Sequence, residues 1–267
     1  MNMKDGKLKQ KAFYDKRFSS LKRAIHKVQN PVVIFYDKKL LRNALGSTTI
    51  DRNTRILEVG GGQGSDAIWI SENAAHVVSI DLSSSALRAA HFISKMKNCE
   101  NISFICGDAE HLPLKEGVFD IVFCKDLLHH VSNPLNTLRE MRRIAKIGGK
   151  IIAIEANAIN PQMILIGLIY FNIDKGVFKN TRTKLVELFL KSKLTKVEVT
   201  HAEFLPREII FEYRSPFNKI IEFHTSKFLQ AIKRIEENLQ SIGFLKFFSN
   251  YLIVKGEKRK FNYVSEI

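Results

Sequence analysis

The sequence has few cysteines and a shortage of acidic residues. Only three of its 267 residues are cysteines, Cys99, Cys106 and Cys124, and no two of them have the Cys-x-x-Cys spacing of a redox or zinc site. This excludes a disulfide framework and predicts a reduced, cytoplasmic protein. Acidic residues number 27 against 42 lysines and arginines, which gives a formal net charge of +15. Such an excess is typical of proteins that meet an anionic partner.

Long apolar runs are also lacking. The most apolar stretch, residues 163–171, has about half of the roughly 20 residues that a membrane-spanning helix needs. The first residues carry positive charge but lack the apolar segment and the cleavage site of a signal peptide. We therefore expect neither a transmembrane helix nor export, and we interpret residues 163–171 as an ordinary core helix.

The positive charge is unevenly distributed. Residues 1–50 hold 12 Lys or Arg against 3 acids, residues 51–157 hold 12 against 13, and residues 158–267 hold 18 against 11. This pattern predicts a basic, helical N-terminal cap over residues 1–50, a central ligand-binding core over residues 51–157, and additions over residues 158–267 that belong to the same domain. An equally good interpretation of the basic flanks is that they are solvated helix faces.

A short tetrapeptide, Phe-Tyr-Asp-Lys, occurs twice, at residues 13–16 and 35–38. No similarity surrounds the two copies, so we interpret them as a coincidence. The chain has no longer repeat, which excludes a solenoid.

Apolar runs alternate with amphipathic stretches through the middle of the chain. Strands are predicted at residues 55–59, 76–81, 102–106, 119–124 and 150–155, with a glycine pair, Gly148-Gly149, turning the chain into the last of them. Helices are predicted at residues 65–72, 82–95 and 135–145. This order predicts a parallel α/β sheet with helices on both faces, in which a ligand binds at the carboxyl ends of the strands.

A glycine-rich loop follows the first strand, in the segment Glu58-Val59-Gly60-Gly61-Gly62-Gln63-Gly64. Such a loop lets backbone N–H groups approach a ligand closely, and alone it could serve NAD, FAD, another nucleotide or a tight turn. A Gly-x-Gly-x-x-Gly pattern needs glycine or alanine at position 65 or 67, and only Ala67 qualifies. No Gly-Lys-Ser/Thr follows, which excludes a P-loop.

Acidic residues end the next two strands. Asp81 lies 17 residues beyond Gly64, where a carboxylate can accept both ribose hydroxyls of a nucleoside. Asp108 follows the third strand, where it could accept a hydrogen bond from the exocyclic amine of adenine. Each acid alone is typical of a turn, but their succession after a glycine loop predicts a nucleoside-containing ligand.

These motifs resemble the class I S-adenosylmethionine-dependent methyltransferases, and among them the type 11 group that includes ubiquinone and menaquinone biosynthesis enzymes. The resemblance covers residues 55–157 and includes the segments Gly-Asp-Ala-Glu at 107–110, Leu-Leu-His-His at 127–130 and Gly-Gly-Lys at 148–150. It implies S-adenosyl-L-methionine as the cofactor. It also implies a Rossmann-like, doubly wound, mostly parallel seven-stranded sheet, closed by an antiparallel hairpin of residues 196–199 and 251–255. Between these two strands, the sequence predicts helical additions over residues 217–245, where the family usually has a short turn, and this insertion is a candidate substrate or partner surface.

The resemblance further implies the cofactor contacts. The glycine loop would cradle the methionine part, Asp81 would bind the ribose, and the residues after β-strands two to four would meet adenine and the amino end. Gly61 stands where members often have Cys or another small residue, which should be harmless. The implied cofactor-binding residues are Glu58, Gly60, Gly61, Gly62, Gly64, Asp81, Leu82, Asp108, Ala109 and Asp126.

Methyl transfer is an in-line displacement, so the enzyme has to align the acceptor and, for a hydroxyl, remove its proton. His129 and His130 follow the fourth strand and are the candidate bases, with His130 preferred. Glu155 ends the fifth strand and could orient an imidazole or act as the base. Core or capping roles remain open for all three residues. We interpret Cys124 as an inert buried thiol, and no residues have metal-ligand spacing.

The residues favour O-methylation of a small or lipid-like acceptor. The Asn/Asp-Pro-Pro-Tyr/Phe loop of adenine and glutamine methylases is lacking, and Lys125-Asp126-Leu127-Leu128 stands in its place. Residues 163–171 could instead cover an apolar acceptor or touch an anionic membrane surface. Two alternatives stay open: an RNA methyltransferase, which the lack of a recognisable RNA-binding module disfavours, and a non-catalytic cofactor-binding regulator.

Overall fold

A single mixed sheet organises the chain. The structure is a computed structural model that describes residues 8, 11–16, 21–46, 48–74, 76–169, 175–204, 227, 230–231, 234–239 and 241–260. Its strand order is β3-β2-β1-β4-β5-β7-β6, with β1 to β5 parallel and β7 antiparallel to both β5 and β6. The strands are β1 Arg55–Val59, β2 His76–Asp81, β3 Ile102–Cys106, β4 Phe119–Lys125, β5 Ala145–Ala156, β6 Thr195–Ala202 and β7 Tyr251–Glu257.

Helices cover both faces of this sheet. Residues 11–16 are helical, and 3₁₀ turns lie at Lys175–Lys179 and Leu245–Phe248. The longer helices are α1 Leu21–Gln29, α2 Pro31–Leu45, α3 Ser65–Ser71, α4 Ser84–Met96, α5 Pro134–Ile144, α6 Pro161–Ile169 and α7 Arg182–Lys191. The predicted strands, helices and sheet-closing antiparallel pair are all present, which confirms the predicted fold.

Capping residues fix where the helices begin. The Ser83 hydroxyl accepts from the N–H of Ala86 and starts α4. The Asn133 side chain does the same for α5, whose first residue is Pro134. Each cap satisfies an N–H group that has no partner within its helix, and a proline at the first position loses no hydrogen bond there.

Adjacent residues of each strand contribute to opposite faces of the sheet, because side chains alternate along a strand. One face packs under α1 to α4 and the other under α5 and α7. The central strands therefore consist of apolar runs without polar alternation, as expected for a sheet covered on both sides. The residue pairs that divide in this way are Ile56 and Leu57, Val77 and Val78, Ile121 and Val122, Ile152 and Ile151, and Ile253 and Val254.

The predicted start of the fifth strand is wrong. β5 begins at Ala145, and Gly148-Gly149 is an irregularity inside it where φ of Gly148 is +80°. The Gly148 N–H donates to the carbonyl of Lys258 over 2.7 Å, and the Lys258 N–H donates to the carbonyl of Gly149 over 3.0 Å. Pairing with the segment after β7 thus holds the glycine pair within the strand.

The expectation of an ordinary core helix at residues 163–171 is also wrong for its described part. Within α6, Met163 is buried, but Leu165 and Leu168 are 53% and 59% exposed. Met163 packs in a small cluster with Val177 of the 3₁₀ turn and Ala156 at the end of β5. Tyr170 and Phe171 lie outside the described residues.

The other helical additions are only partly described. Most of the predicted helical insertion at residues 217–245 lies outside the described residues, although 227, 230–231 and 234–239 are helical. Within the described ranges, every helix falls short of the length and apolar character needed to cross a membrane.

Neighbouring residues of α7 offer a test of the packing. Phe189 is fully buried against the sheet, whereas Leu190 is 57% exposed. Phe189→Ala should lower the free energy of unfolding by about 3–5 kcal/mol, while Leu190→Ala should change it by less than about 0.5 kcal/mol. Urea unfolding followed by circular dichroism measures both. Equal losses would contradict this packing.

Candidate active site

The carboxyl ends of the parallel strands bring the predicted glycine loop and acids together. The N–H groups of Gly60 and Gly61 both donate to the carbonyl of Ile80, at 2.7 and 3.1 Å, so the loop folds back over the end of β2. The Gly107 N–H donates to the carbonyl of Asp81, which joins the end of β3 to the same edge. The glycine loop and Gly107, which are distant in sequence, thereby lie along one edge of the sheet.

Three glycines of the loop adopt a left-handed backbone. The φ angles of Gly60, Gly62 and Gly64 are +78°, +53° and +73°, a region that residues with a side chain rarely adopt. A Cβ at Gly60 would also lie 2.8 Å from Cδ1 of Leu127, and one at Gly64 would lie 2.8 Å from Cβ of Ala90. The loop therefore requires glycine both for its conformation and for its close packing.

Glycine at position 61, expected to be a harmless departure from the family's residue, has a specific packing role. A Cβ at this position would overlap the Ser79 hydroxyl and the Glu58 carboxylate. Those two groups form a buried hydrogen bond of 2.6 Å directly beneath the loop. Glycine at 61 is thus what allows the Glu58–Ser79 pair to form.

Asp81 fits the predicted role of ribose acceptor. Its Oδ2 accepts from the Gly62 N–H at 2.8 Å and its Oδ1 accepts from the Ser83 N–H at 2.7 Å. A carboxylate can accept about four hydrogen bonds, so capacity remains for hydroxyl donors. Burial raises the pKa of Asp81, which these backbone donors oppose. The acceptor oxygens of Asp81 and the glycine loop beside them fit a nucleoside cofactor such as S-adenosylmethionine.

The N-terminal helical segment, residues 11–16, lies against this edge. Asp15 Oδ1 accepts from the Ser83 hydroxyl at 2.6 Å and from the Ser85 N–H at 3.3 Å, at the N-terminus of α4. Hydrogen bonds from Lys11 and then Ser83 lower the pKa of Asp15 to about 2. Asp15, which belongs to the first Phe-Tyr-Asp-Lys copy, was not predicted as part of the site.

Buried charges lie beneath the glycine loop. The Lys125 ammonium at the end of β4 is 2.6 Å from Asp66 Oδ2 and 3.4 Å from Asp37 Oδ1. Glu58 lies in the same region, and burial together with the negative charge of Asp66 raises the pKa of Glu58 to about 8. Asp37, from the second Phe-Tyr-Asp-Lys copy, and Lys125 were not predicted as part of the site.

Glu155 organises the loop that follows β4. Its Oε1 accepts from the N–H groups of Leu127 and Leu128, at 3.0 and 2.7 Å. Its Oε2 lies 2.7 Å from His129 Nδ1 and accepts from the Asn180 side chain at 2.9 Å. The carboxylate is fully buried and the His129 side chain is only 5% exposed. Glu155 therefore orients His129, and Asn180 is a partner that the sequence did not reveal.

His130 faces the N-terminal segment. Its Nε2 is 2.8 Å from the hydroxyl of Tyr14, and the two rings meet edge to face. Its ring centroid is 3.9 Å from that of His129. The two adjacent histidines thus have different surroundings: a buried carboxylate for His129 and a phenolic hydroxyl for the half-buried His130.

The remaining predicted contacts lie at the same edge. Asp108 Oδ1 accepts from the Glu110 N–H at 2.9 Å, which shapes the turn after β3. Asp126 has a φ of +50° and accepts from the Tyr251 hydroxyl at 3.3 Å. Leu82 and Ala109 are half-buried.

From the sequence, we expected Cys124 to be an inert buried thiol and expected no metal site. The Cys124 thiol is fully buried, and burial raises its pKa well above the ordinary value, which makes a thiolate unfavourable. Among the described residues, no group of His, Cys, Asp and Glu side chains has an arrangement that could hold a metal ion.

The buried Glu58 carboxyl should make stability depend on pH. Its pKa rises from 4.5 to about 8 on folding, so between these values the folded chain retains a proton that the unfolded chain has released. The free energy of unfolding should therefore fall as pH rises through this window. Urea unfolding from pH 5 to 9 should show a shallower slope in Glu58→Gln than in the unsubstituted chain or in Glu116→Gln, an exposed control. Parallel slopes would contradict the assignment.

Known proteins resemble this chain mainly over its central region. The family described as a methyltransferase domain matches residues 50–169. The uncharacterized methyltransferase YcgJ of Bacillus subtilis is 30% identical over 101 residues, which cover 38% of this chain and 40% of that protein. A demethylmenaquinone methyltransferase of Staphylococcus epidermidis is 29% identical over 168 residues, which cover 61% of this chain and 66% of that protein. The chain thus spans less than two thirds of either relative.

Solved structures share the fold. The YcgJ structure has a TM-score of 0.57 at 18% identity and covers 84% of this chain and all of its own. Phosphoethanolamine N-methyltransferase 2 of Haemonchus contortus, in complex with S-adenosyl-L-methionine, has a TM-score of 0.59 at 18% identity and covers 90% of this chain and 60% of its own. Residues 50–169 of the chain therefore form a methyltransferase domain, and the chain has the fold of S-adenosylmethionine-dependent methyltransferases.

Proposed function

We propose that the protein transfers a methyl group from S-adenosylmethionine to a hydroxyl oxygen of a small or lipid-like acceptor, with His130 as the general base. The observation that carries this proposal is the 2.8 Å hydrogen bond between the Tyr14 hydroxyl and His130 Nε2. It supports the idea that a phenolic oxygen can approach this imidazole. The next residue, Asp15, contacts Ser83 beside the proposed ribose acceptor Asp81.

The proposed cofactor site combines backbone and side-chain groups at the carboxyl edge of the sheet. The loop Gly60 to Gly64 would hold the methionine part, with Glu58 beneath it, and Asp81 would accept the ribose hydroxyls. Leu82, Asp108 and Ala109 would surround the adenine, and Asp126 would meet the amino end. When bound, the cofactor supplies the electrophilic methyl group.

In the proposed reaction, His130 removes the proton of the acceptor. Its Nε2 would take the hydroxyl proton as the acceptor oxygen bonds to the methyl carbon, and the methyl–sulfur bond of S-adenosylmethionine would break to leave S-adenosylhomocysteine. His130 suits this role better than His129, because the His129 side chain is 5% exposed and held by Glu155 and Asn180. Since the Glu155 carboxylate is fully buried and accepts four hydrogen bonds, we assign it a positioning role.

The acceptor class is proposed from the relatives. One is a demethylmenaquinone methyltransferase, and another is a ubiquinone biosynthesis O-methyltransferase of Aromatoleum aromaticum, 31% identical over 115 residues. Both names refer to quinone compounds, which are apolar and carry ring oxygens. A norajmaline N-methyltransferase of Rauvolfia serpentina, 32% identical over 99 residues, is also similar. The oxygen is therefore proposed from the Tyr14–His130 geometry, and the lipid-like acceptor from the quinone names.

Cofactor binding should depend on the Asp81 carboxylate. Charged hydrogen bonds contribute about 1.5–3 kcal/mol each, so Asp81→Ala should weaken binding of S-adenosylmethionine by at least about tenfold. Asp81→Asn should also weaken it, because the amide is a poorer acceptor. Calorimetry with S-adenosylmethionine and S-adenosylhomocysteine measures this, with Glu116→Ala as an exposed acidic control. Unchanged affinity in folded Asp81 variants would exclude this ribose site.

Turnover should depend on His130. We expect His130→Ala to lower turnover by about 10²- to 10⁴-fold, the usual contribution of a general base, with little change in cofactor affinity. His129→Ala should be milder. Tyr14→Phe keeps the ring, removes only the hydroxyl and should retain turnover within a few fold. The assay follows labelled methyl transfer to the lipids of a cellular extract.

One result would contradict the assignment of His130 as the general base. If His130→Ala binds the cofactor normally and keeps full turnover, the acceptor arrives already nucleophilic, and alignment alone supplies the catalysis. A loss in Tyr14→Phe as large as that in His130→Ala would instead assign the Tyr14 hydroxyl to the proton transfer.

A further inference from the structure

An exposed apolar surface lies beside the candidate active site. Helix α6 contains no charged residue, and Ile164, Leu165 and Leu168 are 37%, 53% and 59% exposed. Large side chains of this kind are normally exposed singly on a soluble protein, whereas a contiguous group marks an interaction surface.

A second apolar segment adjoins α6. Around the 3₁₀ turn Leu245–Phe248, Phe244, Phe247 and Phe248 are 65%, 49% and 43% exposed. The side chain of Asn160, immediately before α6, donates to the carbonyl of Phe248 over 2.5 Å. The side chain of Asn157 donates to the carbonyl of Phe247 over 2.8 Å. These bonds fix the turn beside the start of the helix. We call the exposed side chains of both segments the apolar ridge.

Cationic groups lie within and beside the apolar ridge. Lys246 is placed between the exposed phenylalanines, with its ammonium 5.6 Å from the centre of the Phe247 ring. The ring of His201 is 5.9 Å from that of Phe247. Burial, followed by the positive charges of Arg182 and Lys246, lowers the pKa of His201. The basic side chains of Arg182 and Lys246 therefore lie close to His201. Neither α6 nor the 3₁₀ turn Leu245–Phe248 contains an acidic residue.

We propose that the apolar ridge docks the protein on the surface of an anionic lipid bilayer. Apolar side chains enter the boundary between headgroups and acyl chains, while nearby cations meet anionic headgroups, which is the composition of an interfacial helix. Lys246 and Arg182 supply that charge complementarity beside the ridge.

The ridge is connected to the candidate active site through one layer of packing. Met163 of α6 packs on Val177 of the 3₁₀ turn Lys175–Lys179. In the same turn, a Cβ at Gly176 would overlap the carbonyl of His129, so the turn lies directly on the histidine loop. Docking would thus place the proposed base near the lipid phase. The idea that docking delivers a lipid-like acceptor to this base rests on the proposed function, whereas the docking itself does not.

The test is co-sedimentation of the full chain with vesicles, without cofactor. Vesicles of phosphatidylcholine with phosphatidylglycerol are compared with pure phosphatidylcholine, at salt concentrations where the Debye length falls from about 30 to about 8 Å. The unsubstituted chain should bind the anionic vesicles, and more weakly as salt rises. Leu165→Ser with Leu168→Ser should lower partitioning by roughly tenfold or more, since each side chain loses its apolar burial. The matched control carries Leu190→Ser with Phe92→Ser, which are exposed to similar degrees elsewhere.

Charge is tested separately. Lys246→Glu should lower partitioning onto anionic vesicles by several fold at low salt and have little effect at high salt, because the lost attraction is screened. Lys115→Glu, an exposed lysine at the other edge of the sheet, is the control and should have a smaller effect. Calorimetry with S-adenosylmethionine on the same variants reports the cofactor site, so a failure of docking and a failure of the proposed function are distinguishable.

Several results would overturn the proposal. Absence of binding to anionic vesicles at low salt would do so, and so would equal losses in the ridge variant and its control. Sedimentation velocity checks the other occupant of such a surface, a second copy of the chain. A dimer that dissociates in the Leu165 and Leu168 double variant, together with no vesicle binding, would assign the ridge to self-association instead.

Discussion

The candidate site depends on one buried carboxylate, that of Glu155. A carboxylate removed from water is stable only when donors surround it, because its desolvation costs several kcal/mol. Two backbone amides of the loop after β4, the imidazole of His129 and the amide of Asn180 supply these donors. The Asn180 carbonyl in turn accepts from the N–H of Ala158, just after β5. The histidine loop and the additions after β5 are therefore fixed to the same group.

Beneath the glycine loop, Lys125 has a comparable role. It joins Asp66 of α3 and Asp37 of α2 to the end of β4, so the N-terminal helices are held to the sheet by charge as well as by apolar packing. The Lys125 charge lowers the pKa of the nearby Glu58, but burial and Asp66 outweigh it. Since the Gly62 N–H above this cluster donates to Asp81, the loop conformation connects the buried charges to the proposed ribose acceptor.

The sequence predicted the strands and glycine loop well because local signals determine them: apolar runs buried on both faces, and glycines that their φ angles require. The sequence-based prediction failed where a contact with a residue distant in sequence determines the structure. Pairing with Lys258 holds Gly148-Gly149 within β5, and no local sequence pattern indicates that partner. Both Phe-Tyr-Asp-Lys copies were dismissed for lack of flanking similarity, yet Asp15 and Asp37 contact the site. Their importance lies in contacts with Ser83 and Lys125, far along the chain.

The sequence also did not indicate which face of a uniformly apolar helix is buried. An apolar run such as α6 is compatible with a core helix, and only the tertiary arrangement shows that Met163 faces inward while Leu165 and Leu168 face out. From that helix, contacts lead through Val177 and the Gly176 backbone to the carbonyl of His129, whose imidazole is held by Glu155. A change on α6 can therefore reach the histidine loop through the 3₁₀ turn, where a glycine leaves no space for a side chain.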